Sequence, residues 1–397
     1  MSQELISHNS DLHRIWDEGY QIEVKNGFLL IKHIPYVNSQ KTVLCGTLVS
    51  RLQLAGDKTI APTDHVAWWI GEFPCDSNGQ QLTRLVNQTF QQPVTDGLVA
   101  TVSFSQKPQG GYTDYFQKMT TYINILEGEA KAVDEKASAK IFPVLPIIAD
   151  DTVFRYLDTS GSSAGVADLN EKFKTNRIAI VGLGGTGAYI LDLVSKTSVD
   201  EIHLFDGDDY LQHNAFRSPG PTSIEDLRES MKKVDFYAKT YSKMRRGVVA
   251  HAIFLDDSNT FNLGDMNFVF LSLTDGKTKR IICDFLLEHK VPFIDVGMGL
   301  DRTTDTIDGL LRITTITPEF YTHLITRVPF SDGEKDYYSS NIQTADTNAL
   351  NAALAVIKWK KLLGFYMDTE KEHNSVYGIS SNLLSNDERQ INEDQKN

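Results

Sequence analysis

Cysteine is scarce: Cys45, Cys75 and Cys283 are the three thiols in 397 residues. No two stand as C-x-x-C, so a single chain cannot supply a four-thiolate zinc site, and an odd set of three is no disulfide framework. Such sparse thiols point to a reducing compartment, the cytoplasm. Long apolar runs are missing too. No stretch reaches the roughly 18 residues that a membrane-crossing helix needs. The opening MSQELISHNSDLHRIWDEGY is polar and acidic, without the basic-then-apolar order of a signal peptide. Positive charge is in deficit, with 39 Lys and Arg against 52 Asp and Glu and a formal net charge of -13. That balance argues against non-specific nucleic-acid binding through the bulk surface and leaves room only for a local basic pocket. What is present is an ordinary soluble mixture, 41% hydrophobic and 23% charged, with apolar mass for a real core. At roughly 150 residues per domain, two domains are expected.

The two halves read differently. Residues 1–145 begin with an amphipathic segment at 12–20. Strand-like runs rich in β-branched and aromatic residues follow at 21–24, 28–33, 43–48 and 98–104, then a long helical candidate at 115–136. This reads as an α+β accessory domain that binds a partner. Its HVAWWIGEFPCD stretch suits either an aromatic docking surface or plain core. Residues 146–384 alternate short apolar strands with helices. RIAIV at 177–181 runs into GLGGTG, a helix at 188–196, the strand EIHLF, a further strand at 268–273, a helix at 278–289, a strand at 291–296 and an Ala/Leu-rich helix at 347–363. Strand, tight turn, helix, strand is the start of a doubly wound, mostly parallel α/β sheet. Residues 385–397 are polar without apolar period and read as a disordered tail.

The chemistry concentrates after RIAIV. Gly182, Gly184 and Gly187 form G-x-G-x-x-G between a strand and a helix. The first glycine permits the tight turn, the second lets backbone approach a phosphate, and the third lets helix and strand pack closely. The helix start then offers free N–H groups and a positive dipole end to an anion. Asp206 ends the next strand, where a carboxylate accepts hydrogen bonds from ribose hydroxyls. A nicotinamide or flavin dinucleotide enzyme uses the same fingerprint and is a competing reading.

The segment from 177 to 217, RIAIVGLGGTG and then DEIHLFDGDDYLQHNAFR, resembles the ThiF/MoeB family and the adenylation domain of ubiquitin-activating enzymes. That family carries GxGGxG, then D-x-D, then N-x-x-R. Here these are Gly182, Gly184, Gly185 and Gly187, Asp206 and Asp208, and Asn214 with Arg217. LSLTDGKTKR resembles the family's aspartate motif and places Asp275 after a strand. The resemblance implies ATP and Mg2+ as cofactors and adenylation of the C-terminal glycine of a ubiquitin-like protein. Sulfur-carrier activation of the thiamine or molybdopterin type is an alternative target, and a noncatalytic scaffold is an alternative role. It implies that Arg217 clamps phosphate, that Lys233 or its neighbour Lys232 is the catalytic lysine, that Asp275 holds the metal, that Asp206 holds the ribose and that Asn214 touches phosphate or fixes the loop. Asp208 and Asp209 also read as surface carboxylates, and Asp206 with Arg217 as a structural ion pair. Arg155, in FRYLD, would reach the neighbouring subunit's ATP in a homodimer. NIQTADTNALNAALAVIKWKKLLGFY resembles the C-terminal segment of ThiF-like proteins of bacterial ubiquitin-like conjugation, which adds a conjugating-enzyme-like protein as a possible partner.

The sequence departs from the family twice. The paired C-x-x-C zinc ligands of sulfur-carrier members are absent, and 301–341 holds no cysteine for a thioester step. Cys283 and Cys45 read as buried, Cys75 as the most exposed thiol. Ser339, Ser340 and Thr344 are the hydroxyls that could receive an acyl group in place of a thiol.

Overall fold

The computed structural model describes residues 5–6, 8–95, 97–144, 152–156, 167–330 and 342–389. The chain forms two compact units, 1–145 and 146–397.

The N-terminal unit is an antiparallel sheet with helices on one face. Helix α1 (Ser10–Asp17) leads into β1 (Gln21–Lys25), β2 (Phe28–Val37), β3 (Val43–Arg51), a short β4–β5 ribbon (Leu54–Ala55 and Lys58–Thr59), β6 (Val66–Ile70), β7 (Val86–Thr95), β8 (Leu98–Ser105) and helix α2 (Tyr115–Val133). The six-stranded sheet runs β1-β2-β3-β6-β8-β7. Period-2 alternation sends Leu29, Ile31, Leu48, Trp69 and Phe104 under α2, which buries Tyr115, Met119, Tyr122 and Leu126 against them. Of the two central tryptophans, Trp69 is core, edge-on to Tyr36 at 5.1 Å. Trp68 points to the opposite face beside Phe28 and Phe90. The thiols reverse the expectation. Cys45 is exposed, whereas Cys75 is buried, because its backbone N–H donates to the Val37 carbonyl and draws the turn against the end of β2. Burial pushes the Cys75 thiol up, as it does that of Cys283, so neither is a ready thiolate.

The second unit is built on an eight-stranded sheet of order β11-β10-β9-β12-β13-β14-β15-β16. It comprises β9 (Arg177–Val181), α3 (Gly185–Ser195), β10 (Glu201–Phe205), the short helix α4 (Gln212–Ala215), α5 (Lys233–Tyr241), β11 (Val248–His251), β12 (Phe268–Leu271), α6 (Gly276–Glu288), β13 (Phe293–Arg302), β14 (Ile307–Ile316), α7 (Ala345–Leu362), β15 (Glu372–Gly378) and β16 (Leu383–Arg389). From β11 to β13 all pairings are parallel. The central strands β9 and β12 are apolar at nearly every position, the pattern of strands covered on both faces. The sheet is doubly wound as the sequence indicates, and Rossmann-like in this half. The other half is antiparallel, β13 through β16, which periodicity does not announce.

The expected disordered tail is corrected as far as Arg389. β16 is an exposed, polar edge strand held by its backbone ladder to β15, by Ser375 to Asn386 and by Arg327 to Glu388. A ladder needs no apolar side chains, so hydropathy is silent there. Residues 390–397 lie outside the described residues. Among the described residues, no helix is long and apolar enough to cross a membrane.

Two buried histidines anchor this antiparallel half. Nε2 of His323 (2.9 Å) and Nδ1 of His373 (3.2 Å) both donate to the Thr315 carbonyl. Burial pushes the His373 imidazole from 6.5 down to about 4 and lowers His323 as well. A folded-state value below the unfolded one means that protons bind the unfolded chain more tightly. The stability due to His373 is therefore complete above pH 6.5 and lost as pH falls from there towards 4. It amounts to roughly 3 kcal/mol. Denaturant unfolding at pH 7 and pH 4.5 is expected to register that loss, and His373→Gln to shrink it.

Candidate functional site

The strand order reverses at β9: the chain steps from β9 to β10 on one side, and β12 lies on the other. Beyond the carboxyl ends of these strands a crevice opens, as it does at the switch point of such sheets. It holds a cavity of about 200 Å³ lined by residues that include Val181, Gly182, Phe205, Asp206, Asp208, Phe254, Leu273 and Asp275. A larger hollow of about 440 Å³ in the N-terminal unit, beside Asp11, Arg14 and Asp114, has no comparable set of cations or glycine loop; its Arg14 lies over the Phe116 ring.

Each glycine of the loop has a distinct reason to be glycine. Gly182 sits at φ +88, and a Cβ there would strike the Ser272 carbonyl on the neighbouring segment. A Cβ on Gly187 would fall on the Gly182 carbonyl, so this position sets how closely α3 approaches β9. A Cβ on Gly185 would overlap the Asn348 side chain. Gly184, the N-cap of α3, has open space where its Cβ would be. The free N–H groups of the α3 start therefore face a vacant approach, which suits an anion.

Asp206 ties the loop to β10. Its carboxylate accepts from Leu183 N (2.7 Å) and Asp208 N (2.9 Å). The Asp206–Arg217 ion pair is not formed; the cation beside Asp206 is Lys233. Lys233 opens α5, is buried, and places Nζ 2.6 Å from Asp208 Oδ2 and 3.5 Å from Asp206 Oδ2. Lys232, the N-cap, turns the other way to the Gly207 carbonyl and Asp209. Of the two lysines, Lys233 faces the crevice.

Asn214 and Arg217 follow on α4 and just past it. Asn214 Oδ1 closes the turn by accepting from Leu211 N, whereas its Nδ2 is buried without a partner. Nε of Arg217 is likewise buried and unpartnered. Burial first, then the charges of Arg217 and Lys233, push the His213 imidazole down. Across the crevice Asp275 caps α6. Its Oδ2 accepts from Thr278 N and Oγ1, and the hydroxyl bond holds its carboxyl below the usual range. Asp275 is among the residues that line the cavity. No cluster of three or more His, Cys, Asp or Glu suited to a metal occurs among the described residues. A hard cation held by one carboxylate plus phosphates and water needs no such cluster.

Arg155 is not brought to this crevice within the chain. Its Nε donates to the Ser242 carbonyl at the far end of α5 from Lys233. Ser339 and Ser340 lie outside the described residues, and Thr344 is the N-cap of α7, with Oγ1 2.9 Å from Thr347 Oγ1. Sequence reasoning missed Phe254, whose ring lies over Gly207 and walls the cavity, and Asn348, whose amide bridges Thr186 Oγ1 and the Arg217 carbonyl. The signal for Asn348 was a pair of asparagines three apart within the Ala/Leu-rich stretch of α7.

A doubly wound sheet with a glycine-rich helix start at its switch point, an acidic residue following the second strand and a buried lysine beside it defines a Rossmann-like nucleotide-binding fold. The ThiF family profile matches residues 161–359, about half of the chain, and the chain belongs to the ThiF family. A second profile, described only as a domain of unknown function (DUF6791), matches residues 10–159. Among solved structures, similar chains include E. coli MccB with ATP, at 16% identity over 58% of this chain and 70% of that one, TM-score 0.46. PaaA is similar at 18% identity over 56% of this chain and 75% of that one, TM-score 0.45. No curated protein matches.

Proposed function

We propose that this protein uses ATP to adenylate the C-terminal carboxylate of a ubiquitin-like protein. The observation that carries the reading is a pair of buried, unpartnered donors, Asn214 Nδ2 and Arg217 Nε, on and just past α4, together with the open space at Gly184, the N-cap of α3. A buried donor without a partner costs about 1–3 kcal/mol, and a bound phosphate oxygen removes that cost.

In this reading the adenine occupies the cavity walled by Phe254 and Leu273, and Asp206 accepts from the ribose hydroxyls. The α-phosphate lies over Gly184. A carboxylate oxygen of the substrate attacks the α-phosphorus, an acyl–O–P bond forms, and the bond to the β-phosphate breaks with release of pyrophosphate. Negative charge grows on the α-phosphate and on the departing oxygen. Arg217 and Lys233 stabilise it from preorganised positions. Mg2+ fits beside Asp275 and would supply charge neutralisation of the phosphates. Arg217, Lys233 and Asp275 share a purpose around a triphosphate that a redox dinucleotide would not give them.

The finer assignments rest on the family resemblance. They are a bacterial ubiquitin-like pathway in the cytoplasm, a homodimer in which Arg155 meets the neighbour's nucleotide, and an N-terminal unit that recruits the carrier or a conjugating-enzyme-like protein. A sulfur-carrier protein is the second reading of the substrate, since it shares the same terminal glycine chemistry.

ATP–pyrophosphate exchange tests the proposal. A small β-grasp protein with a free C-terminal glycine is expected to stimulate exchange, and the same protein with an amidated terminus is expected not to. Tight binding of a nicotinamide or flavin dinucleotide without any exchange would favour the oxidoreductase reading instead.

A further inference from the structure

Asn348 and Asn351 stand three apart on α7 and so share one face, with Cβ atoms about 5–6 Å apart. Both are fully buried. Asn348 spends its amide on the glycine-loop helix and on the Arg217 carbonyl. Asn351 donates Nδ2 to the Gly297 carbonyl of β13 at 3.1 Å, while its Oδ1 is buried with no hydrogen-bond partner. Gly297 lies past the end of β12, because the last β12–β13 pair is Leu271 with Asp295. Asn351 therefore lies buried on the β13 side of the switch point, one helical turn from Asn348, whose amide a Cβ on Gly185 would meet.

An amide oxygen is an acceptor and offers nothing to a phosphate, so the missing partner is a donor. The ribose hydroxyls belong with Asp206, on the β10 side. On the β13 side the group that must come close to the α-phosphate is the acyl end of the substrate, and the donor nearest a C-terminal carboxylate is the N–H of the last peptide bond. We propose that Asn351 is a positioning residue whose Oδ1 accepts that N–H and so fixes the carboxylate for attack. The proposal rests on the adenylation reading of the crevice. It adds that the last bond of the substrate must be a peptide bond bearing a hydrogen, which selects against substrates ending in proline.

The test uses three stable mimics and calorimetric titration of the full chain: sulfamoyladenosine, its N-acetylglycyl derivative, and the matching ester in which oxygen replaces the acetylated N–H. Wild type is expected to bind the amide compound about tenfold more tightly than the ester. Asn351→Leu is expected to bind the two equally, with its affinity for sulfamoyladenosine unchanged. Asn351→Asp keeps an acceptor and is expected to retain the amide preference. Equal binding of amide and ester by wild type overturns the proposal, whether or not the leucine variant folds. An amide preference that survives Asn351→Leu overturns it too. Failure of sulfamoyladenosine itself to bind overturns the nucleotide reading, and this proposal with it.

Discussion

Arg217→Met and Lys233→Met are each expected to lower the ATP–pyrophosphate exchange rate by about 10²–10³-fold, the range for removing one preorganised charge from a transition state. The two differ in what else they do. Arg217 has no ion pair among the described residues and its Nε is unpartnered, so its loss should leave thermal stability nearly unchanged. Lys233 sits buried between two carboxylates, 2.6 Å from Asp208 and 3.5 Å from Asp206. Its loss leaves those carboxylates facing each other with no cation, which destabilises the loop as well as the reaction. Lys232→Met, two bonds to the surface loop lost, is the control and should keep near-normal exchange. Comparable exchange rates for the Lys232 and Lys233 variants would remove Lys233 from the site.

The second large effect separates two glycines of one loop. Gly187→Ala is expected to cost about 3 kcal/mol or more, because its methyl would occupy the place of the Gly182 carbonyl and neither backbone can yield without parting α3 from β9. For a domain of this size that is a fall in melting temperature of roughly 6–12 °C. Gly184→Ala meets nothing within 4 Å and has φ −70, so melting should hardly change. Its methyl would instead stand in the space over the α3 start, and ATP affinity should fall. Scanning calorimetry with ATP titration distinguishes these outcomes. A Gly184→Ala protein that binds ATP normally would place the phosphates elsewhere.

The glycine loop, β10, Asp206, Asp208, Asn214 and Arg217 were legible because they are local. One continuous stretch of sequence carries the strand, the turn and the helix, and the physical demands on each residue come from its near neighbours. The outward face of Lys232 and the inward face of Lys233 were not legible, since a helix start decides them and adjacent residues differ by about 100° around the axis. Phe254 and Asn348 were hidden for another reason. Phe254 meets the cavity and Asn348 the glycine-loop helix from segments distant in sequence. β7, VNQTFQQPVT, is largely polar, with a proline and several register shifts, so its strand character comes from pairing with β8 rather than from alternation. β14 to β16 extend the sheet by backbone pairing. The burial of Cys75 follows from its bridges to Val37 and Gln81, which no local rule predicts.

The account turns on what happens at the α-phosphorus. Incubation of the protein with a ubiquitin-like carrier and ATP carrying radioactive phosphorus at the α position, quenched in acid, examines that step directly. The expected result is label on the carrier as an acid-stable AMP adduct, with unlabelled pyrophosphate released in equal amount and both lost in Arg217→Met. Label remaining wholly in ATP, or appearing as ADP after transfer of the γ-phosphate, would contradict it.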